Sequence, residues 1–205
     1  YTAVMNALSE LSIDVKIWTM PVELADPIRF TEDTQHASYD AKYVERFRTI
    51  LVWTNNVFEE FRSRFIGKSS PVHFFWGSFD LAVTRFNGEK APARDGADYI
   101  TREAYSHKNI SHGFWCGGGA VQEPAFYAYA APEPNGCKQT DLSPGQGYYH
   151  HDLSEFILPY EAVRTSATPQ KVLLDFMQST YDAAADLGHW KRDELERPPA
   201  VTAGK

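Results

Sequence analysis

Between residues 103 and 119 the chain reads EAYSHKNISHGFWCGGG, gathering two Ser-His pairs, a Glu, a Tyr, a Trp, a Cys and a closing glycine triplet. Imidazole is the commonest metal ligand and the side chain that titrates nearest neutrality. His107 and His112, joined by His73, could therefore bind a divalent metal or move protons, and Asp80, Glu103 or Glu161 could add a carboxylate. The spacing supplies no motif. His107 and His112 are five residues apart, which matches neither H-E-x-x-H on a helix nor neighbours on one strand face. We take His73, Asp80, Glu103, His107 and His112 as catalytic candidates, with the three histidines also as candidate metal ligands. The plain alternative for each histidine is a hydrogen bond in a loop or at a strand end.

A nucleophile has less support. Ser70, Ser78, Ser106 and Ser111 all have a histidine nearby in sequence, but no G-x-S-x-G elbow places a serine at a strand-to-helix turn. Cys116 precedes Gly117, Gly118 and Gly119, whose amides could hold an anion, yet Pro124 follows where a phosphate-binding turn needs a helix. Aromatic residues make a better case for a cavity. Tyr127 and Tyr129 share one face of the strand-like AFYAYA, and with Trp76 and Trp115 they supply apolar walls with polar handles. Ser78 and Glu161 complete the ligand-binding candidates, Glu161 at the rim. The alternatives are tyrosines that merely cover a sheet and a Glu161 that pairs with Arg164.

The elements that must hold these residues read as α+β. Tyr43, Phe47, Ile50, Leu51, Thr54, Phe58, Phe61 and Phe65 form a helical stripe over residues 41–66, capped by Ser38 or Asp40 and ended by Gly67. A second helix over 169–187 starts with Thr168 as cap and Pro169 in its first turn, and stops at Gly188. PVHFFWGSFDLAVTRF, AFYAYA and EFILPYEAV read as strands, as does the alternation of Ile13, Val15 and Ile17. In an unbroken strand His73 and Asp80 would point to opposite faces, and a bulge at Gly77 would bring them together. Residues 87–110 and 132–150 read as long loops. Their irregularity argues against repeated βαβ crossovers, so the expected fold is a mainly antiparallel sheet with two long helices packed against it.

The 205 residues fit a single domain over 1–197, followed by a frayed tail over 198–205 that keeps no apolar rhythm. A net charge of −7 opposes the positive potential that nucleic acid requires and favours a small neutral or cationic molecule, or a protein. Two cysteines are too few for a disulfide framework, and no signal peptide or membrane-spanning run is visible. A cytoplasmic protein without a membrane partner is expected.

Five segments, DPIRFTEDTQHASYD, SPVHFFWGSFDLAVTRF, REAYSHKNISHGFW, AFYAYAAPEP and FILPYEAVR, resemble in order an uncharacterised bacterial family known only as a domain of unknown function. The resemblance implies no activity, cofactor or catalytic residue. It implies a further N-terminal segment, and Tyr1 indeed begins inside a helical pattern. A sheet edge or apolar groove would then accept a separate N-terminal fragment or a second copy of the chain. Three classes of function remain open: an enzyme acting on a small molecule through a His/Asp/Glu-lined aromatic pocket, a non-catalytic small-molecule-binding protein, and an interaction protein.

Overall fold

The computed structural model describes residues 1–22, 24 and 26–198, so the tail expected over 198–205 lies, apart from Pro198, outside the described residues. The chain divides into two compact units. The first comprises residues 1–48 with 76–78, and the second comprises 49–75 with the residues from 79 onward.

The first unit opens with helix α1, Thr2–Glu10. The alternating Ile13, Val15 and Ile17 do not form a strand. Alternation signals a half-buried face, and here residues 13–18 are exposed throughout. Local bonds hold the stretch between residues 19 and 36. Phe30 N–H donates to Thr19 O, and the Asp33 carboxylate accepts from the backbone N–H of Gln35 and His36. Helix α2, Ala41–Ser63, begins where the Asp40 carboxylate accepts the Lys42 amide. It closes three residues short of the expected 66, where Arg64 and Phe65 tighten into bonds to Phe61 O and Arg62 O.

The second unit is built on a six-stranded antiparallel sheet in the order β1-β2-β3-β4-β6-β5. Its strands are β1 (His73–Phe75), β2 (Asp80–Lys90), β3 (His107–Trp115), β4 (Ala125–Ala131), β5 (Tyr148–His150) and β6 (Glu155–Pro159). Short helices α3 (Tyr99–Ala104), α4 (Tyr160–Arg164) and α6 (Arg192–Leu195) and the long α5 (Pro169–Leu187) complete it. No bulge forms at Gly77. Residues 76–79 turn the chain back into the β1/β2 hairpin, with Phe79 in the left-handed region at φ 59°. The expected loop over 87–110 is largely ordered, because β2 continues to Lys90 through Gly88 and β3 begins at His107. The expected strand over 155–163 ends at Pro159. Beyond it Glu161, Ala162 and Arg164 are good helix formers, and Glu161 pairs with Arg164 across one helical turn.

Strand parity gives the sheet two unlike faces. Leu81, Val83 and Arg85 of β2, Ile110, His112 and Phe114 of β3, and Phe126 and Ala128 of β4 point one way. They meet Phe58 and Phe61 of α2, and the buried face of α5 includes Leu173, Met177, Thr180 and Tyr181. Each fully buried Phe, Leu or Met is worth about 1.5–3 kcal/mol, so this helix face carries most of the core. Asp80, Ala82 and Thr84, Ser111, Gly113 and Trp115, Ala125, Tyr127 and Tyr129, and Glu155 and Ile157 occupy the other, which we call the tyrosine face.

Candidate functional site

The tyrosine face is assembled from four adjacent strands. Tyr127 on β4 donates its hydroxyl proton to the carboxylate of Asp80 on β2, reaching across the intervening β3. Gly113 makes that crossing feasible. A Cβ at this position would clash with the hydroxyl end of the Tyr127 ring, so only glycine leaves the space. Beside it, Tyr129 stacks on Tyr127 with ring centroids 6.1 Å apart and planes 13° from parallel. The Tyr129 hydroxyl bonds that of Tyr105 at 3.2 Å, and below them Ser111 and Thr84 join hydroxyls at 2.9 Å. Arg94 lies over the Tyr105 ring at 4.0 Å, which places a cation at the edge of the cluster.

Glu155 supplies the second carboxylate. It opens β6 opposite His150 and points with Ile157, whose partner on β4 is Tyr127. Among the described residues it makes no ion pair. Burial, reinforced by the negative charge of Asp80, pushes the Glu155 carboxyl up to about 7. Burial and Asp80 likewise raise the Tyr127 hydroxyl, and burial with Tyr105 raises that of Tyr129, so both phenols remain proton donors at neutral pH. A protonated carboxyl that titrates near neutrality beside fixed phenol donors can deliver or take up a proton.

The candidate residues divide between this site and other places. Asp80, Tyr127, Tyr129 and Trp115 lie on the tyrosine face, Trp115 packed on Val121, Ala125 and Ile157. The three histidines do not converge. His73, opposite Ala82, and His107, opposite Lys90, share this face but lie at opposite ends of β2, both exposed. His107 bonds Ser106 Oγ at 3.1 Å, and His73 sits 4.2 Å from the Phe75 ring.

His112 points to the helix face. It is fully buried, and its Nε2 lies 3.0 Å from Thr180 Oγ1. The Thr180 hydroxyl donates to Phe176 O, so it accepts from His112 Nε2–H and leaves Nδ1 as a buried acceptor with no partner among the described residues. Burial and the neighbouring Arg85 push the imidazole down to about 3, so it is neutral in the folded protein. Among the described residues no group of three His, Cys, Asp or Glu is placed to hold a metal ion.

Glu103 lies exposed in α3, and Glu161 is exposed and bound to Arg164 at 2.6 Å. Trp76 and Ser78 lie in the hairpin turn, Trp76 being 81% exposed. Burial raises the Cys116 thiol, the opposite of what an activated nucleophile needs.

Sequence reading overlooked Glu155, Tyr105 and Arg85. Glu155 had one usable signal, its even spacing from Ile157 in EFILP, which fixes it on the same face as that residue.

A family model described as a family of unknown function, DUF5996, matches residues 1–197, and the chain belongs to this family. No curated protein and no solved structure matches it. No helix among the described residues is long and apolar enough to cross a membrane.

Proposed function

We propose that this DUF5996 protein is an enzyme that transfers a proton to or from a small neutral or cationic molecule on the tyrosine face. One observation carries the reading: Glu155, a half-buried carboxyl pushed up to about 7, stands on the same face as the Tyr127–Asp80 hydrogen bond. Glu155 is the general acid or base. Tyr127, held by Asp80, orients the substrate through its ring and oxygen, and the Tyr129–Tyr105 pair offers a second phenol donor. Two carboxylates on one face repel an anionic substrate and attract a cation or a neutral hydrogen-bonding group. A cytoplasmic setting accords with two free cysteines.

The stacked tyrosines favour a second reading, recognition of a small molecule without turnover. One experiment separates the two. The protein and its Glu155→Gln variant are incubated with a mixture of small amines, alcohols and amides, and both depletion and retained binding are followed by mass spectrometry. Depletion of a compound by the native protein alone, with binding kept by Glu155→Gln, supports catalysis. Binding by both proteins without depletion supports recognition. Neither binding nor depletion removes both readings for these compound classes.

A further inference from the structure

On the opposite side of the sheet, we infer that the pocket bordered by Arg64, Arg85 and Arg197 is a binding site for a small oxyanion, the phosphoryl or carboxylate group of a ligand. The pocket has a volume of about 350 Å³, and its wall is contributed by the end of α2, by Gln178 of α5 and by residues 196–198.

Arg85 is the reason to expect an anion there. Its side chain is 1% exposed, and it forms no ion pair among the described residues. One guanidinium nitrogen, Nη2, donates to Phe61 O, while Nε has no acceptor among the described residues. The rings of Phe61 and Tyr181 lie 3.5 and 4.3 Å from the guanidinium carbon. Cation–π contacts offset part of the cost of burying this charge, but they leave a donor unfilled in a site that costs more per unmade bond than water does. Burial lowers the guanidinium to about 10, so it stays charged at neutral pH.

The other charges around the pocket leave the balance positive. Arg197 Nε donates to Ser63 O at 2.7 Å, and no carboxylate pairs with it among the described residues. Arg64 is shared between Glu60 at 2.9 Å and Gln178. Glu196 is the acidic member of the wall, and its carboxylate is held by Arg192 at 2.5 Å. An oxyanion entering here would meet Arg85 in the pocket wall and Arg197 with no carboxylate partner among the described residues, against one carboxylate already held by Arg192. Planar, fork-shaped donors of this kind suit phosphate and carboxylate geometry.

The test is thermal melting of the intact chain in sodium phosphate, sodium sulfate and sodium acetate, each against sodium chloride at equal ionic strength. A saturable rise in melting temperature with at least one oxyanion, beyond the chloride control, is expected. Arg64→Gln and Arg197→Gln should each weaken the apparent affinity about tenfold, while Lys138→Gln on another surface keeps it. Response to phosphate and sulfate alone identifies a phosphoryl-type site, and response to acetate a carboxylate site. No rise beyond chloride, or a rise that survives both arginine substitutions, overturns the assignment. Arg85→Lys keeps the charge but loses the fork. It also gives up the Phe61 O bond and the ring stacking, so it should melt lower than the native chain in chloride and show no oxyanion-dependent rise, whereas a native-size rise would count against the assignment.

Discussion

The two faces of one sheet handle ionisable groups in opposite ways. On the tyrosine face Asp80 and Glu155 are carboxylates among phenols, with Tyr127 donating directly to Asp80. On the helix face Arg85 and His112 are nitrogen bases among aromatic rings, and each keeps one nitrogen without a partner among the described residues. Phe61 serves both, its ring centroid 4.8 Å from that of His112 in a tilted, edge-type contact and its face under Arg85. Aromatic contact and residual solvent bear different loads here. The helix face tolerates a charge by surrounding it with π-electron density, whereas the tyrosine face tolerates its charges by hydrogen bonds and by letting Glu155 keep a proton.

The comparison breaks most readily at Phe61. Phe61→Ala removes a fully buried ring together with the platform under Arg85, and it should lower unfolding free energy by about 3–5 kcal/mol in urea titration. An effect below ~1 kcal/mol would mean that Arg85 does not depend on its aromatic surroundings.

Gly113→Ala tests the tyrosine face in the same way, since its methyl group must displace the Tyr127 ring. A cost of about 1–3 kcal/mol is expected. Adding Tyr127→Ala to that variant should cost less than Tyr127→Ala alone in the native background, because the obstructed ring has already gone. Strict additivity of the two changes would show that the ring and the glycine are independent.

The two faces also give pH dependences of opposite sign. His112 binds its proton more weakly folded, at about 3, than its ordinary value of 6.5, so the unfolded chain takes up the proton first as pH falls. Stability from this group is present above pH 6.5 and should drop by about 2 kcal/mol on acidification to pH ~5. His112→Gln should flatten that limb in melts recorded across the range, and an unchanged acid slope would assign the loss to other groups.

Glu155 behaves the other way. Its folded carboxyl titrates at about 7 against an ordinary 4.5, so the unfolded chain releases its proton first as pH rises. Stability therefore falls between pH ~4.5 and 7 and stays lower above. Discounted for residual exposure, Glu155→Gln should gain about 1–2 kcal/mol at pH ~8 and little at pH ~4. Equal effects at both pH values would point to packing and not titration.

The long elements could be read from sequence because local chemistry and tertiary demand agree there. Pro169 opens α5 as expected and the helix runs to Leu187 before Gly188, although Thr168 makes no side-chain cap. Tyr127 and Tyr129 share a face because they are two residues apart in a strand. Reading 103–110 as a loop obscured the histidines. Once His107 and His112 both lie in β3, an odd separation of five sends them to opposite faces, and no local feature could then reunite them. The hairpin at 76–79 was hidden for a different reason: the stretch is β-prone on both sides of Gly77, and only pairing with β3 fixes where the chain reverses. Arg85 gave no signal either, since its cage comes from Phe61 and Tyr181, 24 residues before it and 96 after it in the chain.

The side-chain crossing over Gly113 has a mechanical consequence. Backbone bonds tie each strand to its immediate neighbours, but the Tyr127–Asp80 bond ties β4 to β2 over the top of β3. Strand β3 is thus fastened both by its own ladders and by a strap across it, so it cannot peel away without releasing two other strands. Amide protons of β2, β3 and β4 should therefore exchange with solvent as one cooperative opening unit, and Tyr127→Phe should divide that unit by letting β2 open on its own.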